Sequence, residues 1–304
     1  MPASLMSDDR AAPIRIAAPA KINLYLHVVG RRADGYHELD SLVAFADIAD
    51  TVTVLPAAGL SLAIDGPFAA ALADATEDNL VLRAARLLAE RCGVTAGAAL
   101  RLTKRLPVAS GIGGGSSDAA AALRGLQLLW KAAATSEDLA ALAAALGADV
   151  PVCLMGRAAW LGGIGEVLAA APTLPPVAVL LVNPGIALST PAVFKARRGA
   201  FSPSARFAGP IADAGGLAEA LAGRRNDLTE AAIGLAPAIG DVLARLRRCE
   251  GVLLARMSGS GATCFALFAE EAAAQHAASR LRAERPDWWV APGRLDAAPD
   301  RRQG

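Results

Sequence analysis

The sequence predicts an α+β protein of two domains, and three observations predict it. Strand-like and helix-like segments are mixed in both halves, without the strict alternation that builds a doubly wound parallel sheet. The chain has 304 residues, enough for about two domains at roughly 100–200 residues each. Composition shifts at residues 169–176 to an alanine and proline stretch that reads as a linker, dividing the chain into residues 1–170 and 171–304.

The elements follow in order. Ile22, Leu24, Leu26 and Val28 alternate with Asn23, Tyr25, His27 and Val29, a strand with one apolar face, and Lys21 falls on the face of Asn23. Asp34-Gly35 is a turn signal, with strands expected near 39–45 and 51–55. Asp78 is placed to cap a helix running to Glu90 and ended by Gly93. Leu100 and Leu102 alternate with Arg101 and Thr103 as a further strand. A glycine-rich loop follows, then an alanine-rich helix to about Trp130. Thr135 and Asp138 have capping-box spacing for a helix that stops near Gly147. Beyond the linker, the β-branched run at 177–182 reads as a buried strand. Thr190-Pro191 reads as an N-cap with proline at the first helical position. Residues 201–210 read as a surface loop, with helices at about 212–221 and 238–248. Strands at 252–257 and 263–268 flank Ser258-Gly259-Ser260-Gly261. A helix and a short strand through Trp288-Trp289 close the chain.

Composition excludes several classes. Apolar residues make up 54% of the chain, ample for a packed core. The net charge is +1, with no long run of one sign, so no phosphate-backbone stripe marks a nucleic-acid binder. No apolar run approaches the ~18–20 residues of a membrane span. Residues 1–10 lack a basic segment followed by an apolar one, so no secretion signal is expected and they read as a frayed tail in a cytoplasmic protein. Cys92, Cys153, Cys249 and Cys264 stand apart and signal neither a zinc site nor a redox motif. Only Lys21, Lys104, Lys131 and Lys195 are lysines among 30 basic residues, so each is a candidate for a site that needs a compact ammonium.

The strongest local signal runs from Pro107 through Gly111, Gly113, Gly114, Gly115, Ser116 and Ser117 into Ala119–Ala122. Phosphates need close backbone approach, which glycine permits. They also need N–H donors, which a helix N-terminus supplies together with its positive dipole end. Two serine hydroxyls add donors. A P-loop would need Gly-Lys-Ser or Gly-Lys-Thr after its glycines, and a Rossmann fingerprint begun at Gly111 would need glycine at Ser116. The structural alternative is a flexible turn capped by serine.

This loop resembles the Pro-x-x-x-Gly-Leu-Gly-(Gly)-Ser-Ser motif of the GHMP kinases. The resemblance covers nearly the whole chain. It extends over Pro19-Ala20-Lys21-Ile22-Asn23-Leu24, Arg32-Ala33-Asp34-Gly35-Tyr36-His37, Gly147-Ala148-Asp149-Val150-Pro151, Gly163-Ile164-Gly165-Glu166, Asn226-Asp227-Leu228 and Met257-Ser258-Gly259-Ser260-Gly261. The first two stretches are similar to the branch that phosphorylates the C2 hydroxyl of a cytidine-diphosphate-linked methylerythritol in non-mevalonate isoprenoid synthesis. The resemblance implies a ribosomal-S5-like N-terminal domain and a ferredoxin-like C-terminal domain. It implies ATP with Mg2+ and a small-molecule substrate, with no nucleic-acid or membrane partner, in a monomer or weak homodimer. Lys21 and Asp149 match the catalytic pair. Asn23, Tyr36, His37, Thr190 and Phe194 match the substrate site, with the base near Tyr36 and Phe194 and its edge on His37. An aromatic sometimes found six residues after the histidine is Val43 here. Homoserine-type and mevalonate-type kinases, and a non-catalytic nucleotide sensor on the same fold, are the alternatives.

The residue types suit the chemistry. An alcohol is a poor nucleophile, and a carboxylate such as Asp149 can accept its proton. An ammonium at Lys21 holds that carboxylate ionised and offsets charge on the transferred group. Each also has a structural reading: Asp149 as the cap of a helix at Val150-Pro151, and Lys21 as a solvated strand residue. Lys104 either leans toward nucleotide phosphates or faces solvent. The Ser258–Gly261 turn is either a plain hairpin turn or, as the resemblance implies, a wall of the phosphate end.

Overall fold

The structure, a computed structural model, describes residues 12–75 and 78–296; the tail expected over residues 1–10 lies outside them. Ten strands among the described residues join in one sheet. Its main path runs β3 (Leu60–Asp65), β4 (Gly97–Thr103), β2 (His37–Ala57), β10 (Trp289–Asp296), β7 (Val177–Asn183), β9 (Cys264–Phe268), β8 (Val252–Met257). β1 (Ile14–Arg31) lies antiparallel along β2. β5 (Ala159–Gly162) also pairs with β2, and β6 (Val167–Ala170) with β5. Among the ten described strands, only β3 and β4 pair in parallel.

The two strands expected between 39 and 55 are one. β2 pairs in turn with β5 at Ser41–Val43, with β10 at Ala46 and with β4 from Thr51 onward, so its backbone groups are satisfied without a break. The apolar stripe expected on β1 is split. A register shift between Asn23 and Tyr25 re-aims the chain, as bulges do. Ile22, Leu24 and Tyr25 enter one core, and Leu26 and Val28 enter another. β3, β5 and β6 carried too little pattern to be foreseen. β6 takes the start of the expected linker, leaving 171–176 irregular.

Four helices cover one face of the first half: α1 (Leu80–Cys92), α2 (Gly114–Trp130), α3 (Ser136–Leu146) and α4 (Val150–Met155). Asn79, not Asp78, caps α1, its side chain accepting from the Val81 amide, and Gly93 ends the helix in the left-handed region. The Thr135–Asp138 capping box forms as expected. α2 buries Ala119, Ala120, Ala121 and Ala122. At Gly125 a Cβ would sit 3.2 Å from Val54 Cγ2 and 3.3 Å from Ile16 Cγ1. Small residues therefore let α2 lie close on β1 and β2, which brings its N-terminus against β1.

In the second half α5 (Thr190–Ala196), α7 (Thr229–Leu235), α8 (Ala238–Leu246) and α9 (Glu271–Glu284) surround a second core with β7 and β9. α6 (Ala214–Ala222) packs on a third core that also takes Ile22 and Leu24. β1 thus contributes side chains to cores in both halves, and Lys21 and Asn23 sit where those cores meet.

Candidate functional site

The glycine-rich loop before α2 is held by its ends and by its glycines. Gly111 and Gly113 have φ of +77° and +63°, a region open to glycine at little cost. The Lys21 amide donates to the Ile112 carbonyl at 2.9 Å, using the irregularity that β1 has between Pro19 and Lys21. The Ser117 hydroxyl donates to the Pro19 carbonyl at 2.7 Å. Gly113 caps α2 without any side-chain bond, so the amides of the first turn have no intrahelical acceptor. They open on a cleft of about 1370 Å³ lined by Pro107, Gly111, Gly113, Gly114, Gly115 and Ser116. Ser117 is not among its walls; its buried hydroxyl is turned to β1.

Lys21 and Asp149 meet in the same cleft. Lys21 Nζ lies 3.0 Å from Asp149 Oδ2, with the lysine side chain 5% exposed and the carboxylate 37%. It also donates to Asn23 Oδ1 at 3.1 Å. Lys21 is therefore no solvated strand residue. Asp149 precedes α4, but its backbone is not extended and its side chain makes no capping bond; the carboxylate goes to the lysine instead. The Asn23 amide nitrogen donates to Ser41 Oγ at 2.8 Å, which fixes the amide's orientation.

A second glycine loop forms the opposite wall. Ser258 Oγ donates to the Gly111 carbonyl at 3.0 Å and accepts from the Asn23 backbone amide at 3.0 Å. A Cβ on Gly111 would lie 2.6 Å from the Ser258 carbonyl, and one on Gly259 would lie 2.7 Å from the Gly111 carbonyl. Asn226 Nδ2 donates to the carbonyls of Met257 and Gly259 at 2.9 and 2.7 Å. The turn between β8 and β9 is thus more than a hairpin connection. Ser41 and Asn226 were not foreseen as parts of the site; the quoted motif around Asn226 was the available signal, and Ser41 carried none.

At the far end of the cleft, His37 opens β2 and stacks on Phe194, ring centres 5.3 Å apart and planes at 24°. Burial, then Arg31 and Arg197, lower the imidazole's pKa, which favours the neutral ring, with one donor and one acceptor nitrogen. Tyr36 is 61% exposed on the rim. Thr190 is the first residue of α5 and Ser189 its cap position, one residue earlier than expected. This leaves the Thr190 hydroxyl free to bond Ser260 Oγ at 2.7 Å. Val43 is buried in the core under α2 and does not line the cleft.

Lys104 lines the cleft but does not face bulk solvent. Its ammonium is bonded to Asp50, which is fully buried, and to Asp118 Oδ2 at 2.7 Å. Asp50 Oδ1 also accepts from the Leu106 amide at 2.8 Å. Burial opposes charge on Lys104, but Asp118 and Asp50 overcome it and raise its pKa. Burial pushes the Asp118 carboxyl up to about 7 against the pull of Lys104, with Asp50 adding to the rise. Two buried carboxylates thus share one ammonium, and Asp118 Oδ1 has no partner among the described residues.

A glycine-rich loop at a helix N-terminus, a lysine–carboxylate pair and a two-ring platform share one cleft, an arrangement that fits a small-molecule kinase. Family models for the GHMP kinase N-terminal domain and C-terminal domain match residues 79–157 and 210–287, and the chain belongs to the GHMP kinases. A protein of Paramagnetospirillum magneticum named 4-diphosphocytidyl-2-C-methyl-D-erythritol kinase is 60% identical over 92% of this chain and 98% of its own. A crystal structure of 4-(cytidine 5'-diphospho)-2C-methyl-D-erythritol kinase is 38% identical, with a TM-score of 0.76 over 93% of this chain and 99% of that one. Within the GHMP kinases the chain belongs to the family of these enzymes. A homoserine kinase from Cytophaga hutchinsonii shares the fold at 18% identity, with a TM-score of 0.73 over 98% of both chains.

Proposed function

We propose that the cleft transfers the γ-phosphoryl group of ATP to the C2 hydroxyl of 4-diphosphocytidyl-2-C-methyl-D-erythritol, a step in isoprenoid precursor synthesis. The observation that carries the reading is the Lys21–Asp149 pair at 3.0 Å, lying in one cleft with the phosphate loop and the His37–Phe194 stack. A cleft of about 1370 Å³ exceeds the ~300–1,000 Å³ of an ordinary ligand pocket and has room for two nucleotide-sized molecules.

The ATP phosphates lie over the open amides of Gly114, Gly115 and Ser116, with Lys104 and Pro107 on the nucleotide side. The cytosine lies at His37, Phe194 and Tyr36, and Asn23 and Thr190 face the alcohol. Asp149 accepts the hydroxyl proton as the new O–P bond forms, and ADP departs carrying the charge of the broken bond. Lys21 steadies the carboxylate and the charge on the moving phosphoryl group. Asp149 has one carboxylate oxygen on Lys21, the rest of its side chain being open to the cleft, and Ser116 offers a hydroxyl. These are the hard oxygen donors that suit a magnesium ion carried in on the ATP phosphates, where it neutralises charge. Residues 1–170 supply the phosphate loop and both members of the pair; residues 171–304 supply α5 and the second glycine loop. This division is part of the proposal, and the irregular backbone at 171–176 supports it.

ATP consumption measured with the cytidyl alcohol, homoserine and mevalonate in turn tests the reading. Turnover with the first alone is expected. Turnover with either of the others and none with the cytidyl alcohol overturns it, and ATP binding without any phosphorylated product supports the sensor alternative instead.

A further inference from the structure

The base-stacking end of the cleft carries a charge pattern that phosphoryl transfer itself does not require. Arg31, Lys195, Arg197 and Arg198 all line it. None of the four is paired with a carboxylate among the described residues. Two nearby acids are engaged elsewhere: Arg32 holds Asp34 at 2.9 Å and lies 4.0 Å from Glu166. Four cations therefore line one cleft without a carboxylate ion pair among the described residues, an arrangement that costs self-repulsion unless an anion joins it.

Two of them are placed with care. Arg31 ends β1, and its Nε donates to the Gly35 carbonyl at 3.2 Å. That bond lays the side chain along the turn that presents Tyr36 and His37. Arg197 follows α5 directly. It donates to the carbonyls of Gly199 and Ala200, and its guanidinium rests 5.2 Å above the Phe201 ring. Both act on His37 from different elements: each depresses the imidazole's pKa through its charge. Arg31, from the end of β1, and Arg197, directly after α5, thus line the same cleft as the His37–Phe194 platform.

We propose that Arg31 and Arg197 grip the diphosphate of the nucleotide-linked alcohol and so select a nucleoside diphosphate over a bare nucleoside or a free alcohol. The inference rests on the function proposed above and adds the residues that read the substrate's phosphates. A base held on the rings puts its diphosphate at the rim, on the way to Lys21 and Asp149. Guanidinium groups suit such an anion, because their planar donors match phosphate oxygens in pairs. Their fixing by main-chain carbonyls reduces the ordering they lose on binding.

The test uses Arg31→Gln, Arg197→Gln and the double variant in steady-state kinetics, with CDP and cytidine as competitive inhibitors against the cytidyl alcohol. Each single variant is expected to raise KM for the cytidyl alcohol about tenfold, as loss of a charge-assisted bond does, and to leave KM for ATP within about twofold. The double variant is expected to abolish the preference for CDP over cytidine. An unchanged substrate KM overturns the proposal. So does an equal loss of CDP and cytidine affinity, which would mean that the arginines only support the ring platform. The unaltered KM for ATP serves as the folding control, and Arg31→Lys, which keeps the charge, is expected to recover part of the affinity. Failure of the unaltered enzyme to phosphorylate the cytidyl alcohol would sink the function and this inference together. Normal turnover with insensitive variants sinks the inference alone.

Discussion

Gly115→Ala separates the phosphate-cradle reading from a purely structural role for the loop. Gly115 is the second residue of α2 and has no positive φ. A Cβ built there meets only Leu80 Cδ1, at 3.7 Å, which is ordinary contact. Nothing in the folded state resists the methyl group, and the unfolded chain loses freedom, so the variant should be more stable by about 0.4–1 kcal/mol. If phosphates lie on the amides of the first turn, the same methyl stands in their way. Loss of one charge-assisted amide–phosphate bond is worth about 1.5–3 kcal/mol, so KM for ATP should rise tenfold or more. Urea unfolding and ATP titration on one preparation read both effects. A stabilised variant with unchanged KM for ATP would refute the cradle at this position. Gly111→Ala is the contrast: its Cβ would lie 2.6–2.8 Å from backbone atoms of Ser258 and Gly261. A left-handed alanine costs about 1–2 kcal/mol and the forced overlap about 1–3 kcal/mol, so that variant should be destabilised whether or not ATP binds nearby.

Asp149→Asn should lower kcat by about 10²–10⁴ with ATP affinity by calorimetry within twofold; a near-normal kcat would exclude a proton-accepting role. His37→Ala should raise KM for the cytidyl alcohol and not for ATP, and an unmoved substrate KM would remove the imidazole from the base pocket. Lys104→Met leaves Asp50 and Asp118 buried without their shared cation, and should cost about 3–5 kcal/mol in urea unfolding. Asp118→Asn carries a pH signature. The folded-state pKa of Asp118 is raised from 3.8 to about 7, so its contribution to stability is full below about pH 4 and is lost as pH rises through about 7. Relative to the native protein, the variant should therefore gain stability between pH 5 and pH 8; an equal difference at both values would show that the carboxyl is not shifted.

Much of the fold was legible because it is written locally. The capping box at Thr135, the left-handed stop at Gly93, the buried run of β7 and the glycine-to-helix transition at α2 each depend on residues within a few positions of one another. The misplaced features depend on partners far along the chain. β2 reads as two strands until β4, β5 and β10 are seen to pair along it. The stripe on β1 reads as one face until the irregularity at Asn23 and Tyr25 divides it between two cores. The Thr190 hydroxyl reads as a cap until Ser260 is found to hold it.

The same division explains which parts of the site could be read. Lys21 and Asp149 were named through resemblance, because no period or spacing joins a strand residue to a helix start so distant in sequence. Sterics then show why the two glycine loops form one structure. Gly111 excludes a side chain because the Ser258 and Gly261 backbone lies against it, and Gly259 excludes one because of the Gly111 carbonyl. Each glycine is required by the other loop. Read alone, either loop is a turn with ordinary turn residues. Only their contact, closed by Ser258 Oγ on the Gly111 carbonyl, makes the second loop a wall of the cleft and puts Ser258 Oγ where it accepts from the Asn23 backbone amide.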